Sequence, residues 1–144
     1  MLIEIIETSF DKHFAALKLV RQEVFVFEQS VPESLEADDR DSLCQHLLAL
    51  TEEEPVGTAR VDWEKQGKVG RVAVRKPWRG LGLGKRLMQR LESLARDRDV
   101  EFLWLHAQRD VIPFYQSLGY VTEGSEFMEA GIPHQKMRKQ IGDY

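Results

Sequence analysis

Residues 79–85 read RGLGLGK, with a glycine at every second position and basic side chains at Arg79, Lys85 and Arg86. The run lies between an apolar, strand-like segment and a stretch of helical periodicity, so a glycine-rich turn opens directly into a helix. The first N–H groups of a helix have no partner within it, and the helix dipole favours negative charge at that end. Gly80, Gly82 and Gly84 can take φ > 0 and bring the backbone close to a ligand with no Cβ in the way. The natural guest is a diphosphate, held by the main chain of Gly80, Leu81, Gly82, Leu83 and Gly84 with charge from Arg79 and Lys85. Two other phosphate loops are excluded by spacing. In a G-x-x-x-x-G-K-[ST] loop, Arg79 would stand at the first glycine and Arg86 at the hydroxyl residue. In a G-x-G-x-x-G loop, Lys85 would stand at the last glycine. A plain strand-to-helix turn would not need three glycines, each weak for helix formation.

The elements that position this loop are legible as periodicities. Residues 2–7 read as a strand, and Ser9 or Asp11 is placed to cap the helix that follows. Phe14, Leu17, Val20, Val24 and Phe27 recur at helical spacing and predict one buried stripe, which Val31-Pro32 ends. Residues 33–42, ESLEADDRDS, are acidic and read as irregular. Three strand-like runs follow at 46–51, 56–63 and 68–74, joined by short loops that predict an antiparallel meander. After the glycine loop, Leu87, Leu91 and Leu94 mark a helix. Residues 102–107 then form a strand and 111–118 a short helix, which Gly119 terminates. Short strands at 120–122, 126–129 and 135–138 complete the sheet. The predicted fold is α/β (α+β): a mixed, mostly antiparallel sheet with helices on both faces. Strand 68–74, its helix and strand 102–107 form a parallel βαβ unit.

The bulk properties bound the answer. A chain of 144 residues fits one domain, from residue 1 to residue 144, and its 42% hydrophobic content is that of a folded protein. A net charge of −4 argues against a general nucleic-acid partner. No apolar stretch approaches the ~20 residues of a membrane span. The single cysteine, Cys44, permits no intrachain disulfide and suits a reducing, cytoplasmic setting. No metal-ligand spacing stands out, so no metal is expected.

The segment R-G-L-G-L-G at residues 79–84 matches the pattern [RQ]-x-x-G-x-[GA], and residues 114–120 read FYQSLGY. Together with the element order, these resemble the GNAT N-acetyltransferases across nearly the whole chain. The finer segments VFVFEQ (24–29), Val31-Pro32, HLLA (46–49) and AGIPH (130–134) are similar to the small bacterial ElaA/YjcF-like branch. The resemblance implies acetyl-coenzyme A as cosubstrate and direct transfer to a primary amine in a ternary complex. A small molecule or amino sugar is the favoured acceptor. A protein N-terminus or lysine is one alternative, and a non-catalytic coenzyme A-binding module is another. The resemblance further implies that the backbone of Val72, Ala73 and Val74 pairs with the pantetheine arm. Arg79–Lys85 would hold the pyrophosphate, and Gln108, Phe114 and Tyr115 would line the cofactor. Tyr115 matches the position that protonates the departing thiolate. Oligomeric state stays open, with a homodimer through the late strands as the alternative to a monomer.

Acylation of an ammonium also requires loss of a proton. Glu28, Asp38, Asp39, Asp41, His106, Glu126, Glu129 and His134 have suitable chemistry. Glu28, at the end of the first helix, and His134, after a Gly-Ile-Pro turn, are the leading candidates. His106 reads rather more readily as a hydrogen-bonded sheet histidine than as the base. The acids of residues 33–41 fit either a loop that attracts a cationic acceptor or a solvated surface. Cys44 reads as a small apolar residue rather than a nucleophile.

Overall fold

The computed structural model describes residues 2–142. Strand β1 (Glu4–Thr8) leads to helix α1 (Phe14–Arg21), which widens into π geometry over Gln22–Glu28. A single helical turn, α2 (Glu33–Glu36), precedes β2 (Gln45–Leu50), β3 (Pro55–Asp62) and β4 (Lys68–Val74). Helix α3 (Leu83–Asp97), β5 (Phe102–Gln108), α4 (Ile112–Ser117), β6 (Val121–Glu129) and β7 (Ile132–Gln140) complete the chain. The strands form one seven-stranded sheet in the order β1-β2-β3-β4-β5-β7-β6. All neighbours are antiparallel except β4 and β5, so the βαβ unit lies inside a mixed sheet as the sequence predicts.

Strand alternation divides the molecule into layers. In β5, Leu103, Leu105 and Ala107 are buried, while Phe102, Trp104, His106 and Gln108 on the other face are half-buried. The buried set joins Leu47, Ala59, Val61 and Met137 beneath Leu83, Leu87, Met88, Leu91 and Ala95, the apolar stripe of α3. On the opposite face, Val20 and Val24 pack on Ala73 of β4. Helix α1 therefore covers β3 and β4 while α3 covers their other side.

Several local expectations are corrected. Leu17, Val20 and Val24 are buried, but Phe14 and Phe27 are exposed. A stripe drawn at ~3.6 residues per turn drifts off the core at Phe27 because the helix widens at Gln22, while Phe14, the first residue of α1, packs edge-on against Phe10 at 5.1 Å. Neither Ser9 nor Asp11 caps α1. His13 is the N-cap, and Ser9 Oγ instead accepts the Lys12 N–H in the preceding turn. Residues 120–122 and 126–129 are not separate strands: β6 runs through them with a register shift between Glu123 and Phe127, at Gly124. The last strand is longer than predicted and takes in residues 132–134. Ala130 and Gly131 both have positive φ, the geometry of a two-residue hairpin turn, so Pro133 and His134 are already paired strand residues.

Within the acidic stretch, Glu36, Asp38 and Asp41 are bound by arginines, while Glu33 and Asp39 stay exposed. Arg21, 1% exposed, donates to Glu36 and through both terminal nitrogens to Asp41 (2.8 and 3.0 Å). Arg60 of β3 reaches Asp38 and Asp41, each at 2.7 Å. Burial would raise the Asp38 carboxyl, but the hydrogen bonds and charge of Arg60, with Arg71, outweigh it and hold the group at about 2. Asp41 is lowered in the same way, by Arg21 and Arg60 against burial. Residues 33–41 are thus welded to α1 and the sheet.

Candidate active site

Strands β4 and β5 pair only at Lys68↔Trp104 and Val69↔Leu105 and then part. From Gly70 to Val74, β4 bonds to β3 on one side and has an open main-chain edge on the other. An extra residue marks the parting. Between Thr58↔Ala73 and Arg60↔Gly70, β3 advances two residues and β4 three. Arg71 sits in this bulge with φ 51°, and its carbonyl accepts the Thr58 hydroxyl at 2.9 Å. The bulge resets the alternation, so Val69, Val72 and Val74 pack towards α3 and Ala73 towards α1. The acidic loop supports it: Arg71 Nε donates to Glu36 O (2.9 Å) and Nη2 to Asp38 (3.3 Å).

The open edge leads to the glycine loop. Gly80 (φ 79°) and Gly82 (φ 80°) are left-handed, and a Cβ on either would meet nothing within 4 Å. Their glycines are required by conformation, and the space in front of them is clear. Gly82 is the N-cap of α3 and no side chain caps that terminus, so the first-turn amides remain available to an anion. Leu83 is buried under the helix, whereas Leu81 and Lys85 are exposed.

Gly84 has a different reason. It lies within the helix, and a Cβ there would come within 3.2 Å of the Phe114 ring. The third glycine lets α4 pack on α3. Arg79 makes two contacts within the protein. Its Nε donates to Val74 O (2.8 Å) and its Nη2 to Glu28 (2.9 Å), tying the end of the π segment to the end of β4.

Tyr115 stands on α4, positioned by the helix end. Gly119 (φ 97°) places the Tyr120 N–H on Tyr115 O (3.1 Å) and its own N–H on Gln116 O (3.0 Å), a Schellman closure. The Tyr115 ring is buried between Phe114 and Tyr120, at centroid distances of 5.0 and 5.8 Å. Its hydroxyl has no hydrogen-bond partner among the described residues. No fully buried side-chain polar atom lacks a partner there, so the hydroxyl opens to solvent. Burial raises its pKa, which keeps the phenol protonated at neutral pH.

The remaining candidates are dispersed. Glu28 is held by Arg79, and Gln108 Nε2 donates to Gln29 Oε1 (2.8 Å) across the mouth of the cleft. His134 lies in β7, buried and opposite Gln108, with Nδ1 2.7 Å from Ile132 O. Asp38 and Asp41 belong to the arginine network, and Glu126 forms an exposed two-toothed pair with Arg109. Burial pushes the Cys44 thiol up to about 11, which disfavours the nucleophilic thiolate. The bulge at Arg71 and the cluster of His106, Glu129 and His134 are not readable from spacing, although Gly70 inside a strand hints at the former.

The description of one family, the acetyltransferase (GNAT) domain, matches residues 10–141. The chain belongs to the GNAT family. Among GNAT relatives, YjcF of Bacillus subtilis is 40% identical over 124 residues, covering 83% of this chain and 87% of YjcF. ElaA of Escherichia coli is 33% identical over 141 residues, covering 94% and 92%. The crystal structure of ElaA superposes with a TM-score of 0.84 over 94% of this chain and 99% of its own. An acyl-CoA N-acyltransferase from Pseudomonas aeruginosa superposes with a TM-score of 0.85, at 28% identity, over 96% and 99%. The parting of β4 and β5 and the uncapped α3 terminus are therefore features of a GNAT, ElaA-like chain.

Proposed function

We propose that the protein transfers an acetyl group from acetyl-coenzyme A to a primary amine, by direct attack in a ternary complex. One observation carries this reading: the main-chain edge of β4 that β5 leaves open leads on to a glycine loop and the uncapped amides of α3. The residues fit the cosubstrate. Gly80 and Gly82 leave room for a pyrophosphate, with first-turn amides and the exposed Lys85 to hold it. The edge of Val72, Ala73 and Val74 suits the amides of an extended pantetheine arm, as a neighbouring strand would. A backbone N–H on that edge would stabilise the oxyanion as the amine adds to the thioester carbon. The Tyr115 hydroxyl would then give its proton to the sulfur as the C–S bond breaks. Phe114 and Gln108 would line the channel. The family's description as acetyltransferases supports acetyl as the acyl group, and the free Tyr115 hydroxyl favours an enzyme over a binding module. A small amine is the acceptor class we favour.

Calorimetry with acetyl-coenzyme A, followed by thiol release with a panel of amines, tests the reading. Gly82→Val places a Cβ at φ 80°, in the path of the phosphate. It should weaken acetyl-coenzyme A binding tenfold or more while the fold persists. Unchanged affinity would remove the pyrophosphate from this loop.

A further inference from the structure

We propose that His106, oriented by Glu129, is the general base that removes the proton from the acceptor ammonium; this rests on the acyltransfer reading above. His106 is the first β5 residue beyond the last pair with β4, so it stands at the apex of the parting, next to the Gly70–Arg71 bulge. Its side chain lies on the face opposite α3 and is half-buried. Its Nδ1 is 3.1 Å from Glu129 Oε1. The His106 hydrogen bond, against burial, holds the Glu129 carboxyl below its usual range, with the charges of His106, His134 and Lys68 assisting. An ionised carboxylate only accepts, so Nδ1 carries a proton, and in the neutral ring the lone pair is then on Nε2. That Nε2 has no partner among the described residues.

His134 is buried, with Nδ1 2.7 Å from Ile132 O and Nε2 3.6 Å from Glu129, and Glu28 is paired with Arg79. The groups around His106 also set its orientation. Phe127 of β6 meets the ring edge-on at 4.8 Å and Trp104 of β5 at 5.5 Å. Lys136 is its register partner on β7 and lies over Trp104, as does Lys68 of β4. His134 approaches the second Glu129 oxygen at 3.6 Å. Among the described residues Glu129 is the one carboxylate on the ring, and it acts as a positioning residue.

The step balances. His106 Nε2 takes one proton from R–NH3+, and the freed nitrogen pair forms the C–N bond while the carbonyl pair moves to oxygen. The carbonyl re-forms as the C–S bond breaks with its electrons on sulfur, and sulfur takes the Tyr115 proton. The second nitrogen proton restores Tyr115 through water, and His106 returns the first to solvent.

Two probe acceptors distinguish this step: phenethylamine, an ammonium at neutral pH, and hydroxylamine, which is largely unprotonated there. His106→Gln should lower kcat with phenethylamine by about 100-fold or more. Hydroxylamine turnover and acetyl-coenzyme A affinity should stay near wild type. Imidazole should rescue His106→Ala with phenethylamine only. Glu129→Gln should move the acidic limb of the phenethylamine pH–rate profile to lower pH. Equal losses with both probes, or none, would overturn the base role. Nitrogen NMR showing His106 protonated at Nε2 would overturn it independently of turnover. A wild-type protein that binds acetyl-coenzyme A and acylates no amine of the panel, these two probes included, would overturn the parent reading as well. Hydroxylamine turnover with a His106→Gln enzyme unimpaired on phenethylamine would spare the parent reading alone.

Discussion

Tyr115 and the glycines show how little of a residue's role is contained in its type. Tyr115 combines a buried ring with a hydroxyl that meets no partner among the described residues, an arrangement suited to donating one proton at a confined spot. Tyr115→Phe retains the ring packing and removes only that proton. Acetyl-coenzyme A affinity should hold within about twofold, while kcat falls by roughly 10- to 100-fold if the acid step is limiting. Unaltered turnover would reduce Tyr115 to a packing residue. At the glycines, Gly82 answers a left-handed backbone and Gly84 the Phe114 ring. Gly84→Val should therefore show its main effect as thermal destabilisation through α4, of about 1–3 kcal/mol from overpacking. Gly82→Val should show its main effect in ligand affinity, and calorimetric unfolding of the two variants would separate the causes.

At the scale of elements, the arginine network links the acidic loop to the bulge in β4. Glu36 O accepts from both Arg21 and Arg71, so the strand edge that would hold pantetheine leans on a buried ion cluster. Arg21→Ala removes the ion-pair partner of Glu36 and leaves Asp41 with Arg60 alone, and should cost about 3–5 kcal/mol of stability, measured by denaturant unfolding. The pH dependence has a definite sign. Asp38 and Asp41 have folded pKa values below the unfolded value of about 3.9. Their contribution is complete above that value and is withdrawn as pH falls towards about 2, the folded value of Asp38. The melting temperature should change little from pH 7 to 5 through these groups and fall steeply below pH 4.

For the whole molecule, the open edge between β4 and β5 predicts where a ligand would alter exchange. In the free protein, amides of residues 70–74 that point towards β5 and those of 80–85 should exchange quickly. Acetyl-coenzyme A should protect both stretches together and leave β1 and β2 unchanged. Hydrogen exchange by mass spectrometry checks this. Protection confined to the loop would mean that pantetheine does not follow the strand.

Residue spacing alone was sufficient for the order of the main elements up to α4, the βαβ unit and the glycine loop, because hydrophobic periodicity and glycine placement are local properties; it split β6 in two and missed the α2 turn. Alternation in β5 and the leucine stripe of α3 could be read directly, since each element buries one face. The parting of β4 from β5 was decided only in three dimensions, as was the capture of residues 33–41 by Arg21, Arg60 and Arg71. So was the meeting of His106 with Glu129. Each depends on groups far apart in the chain that come together only when the strands adopt their register. A charge in a loop looks the same in sequence whether water or a buried arginine will neutralise it.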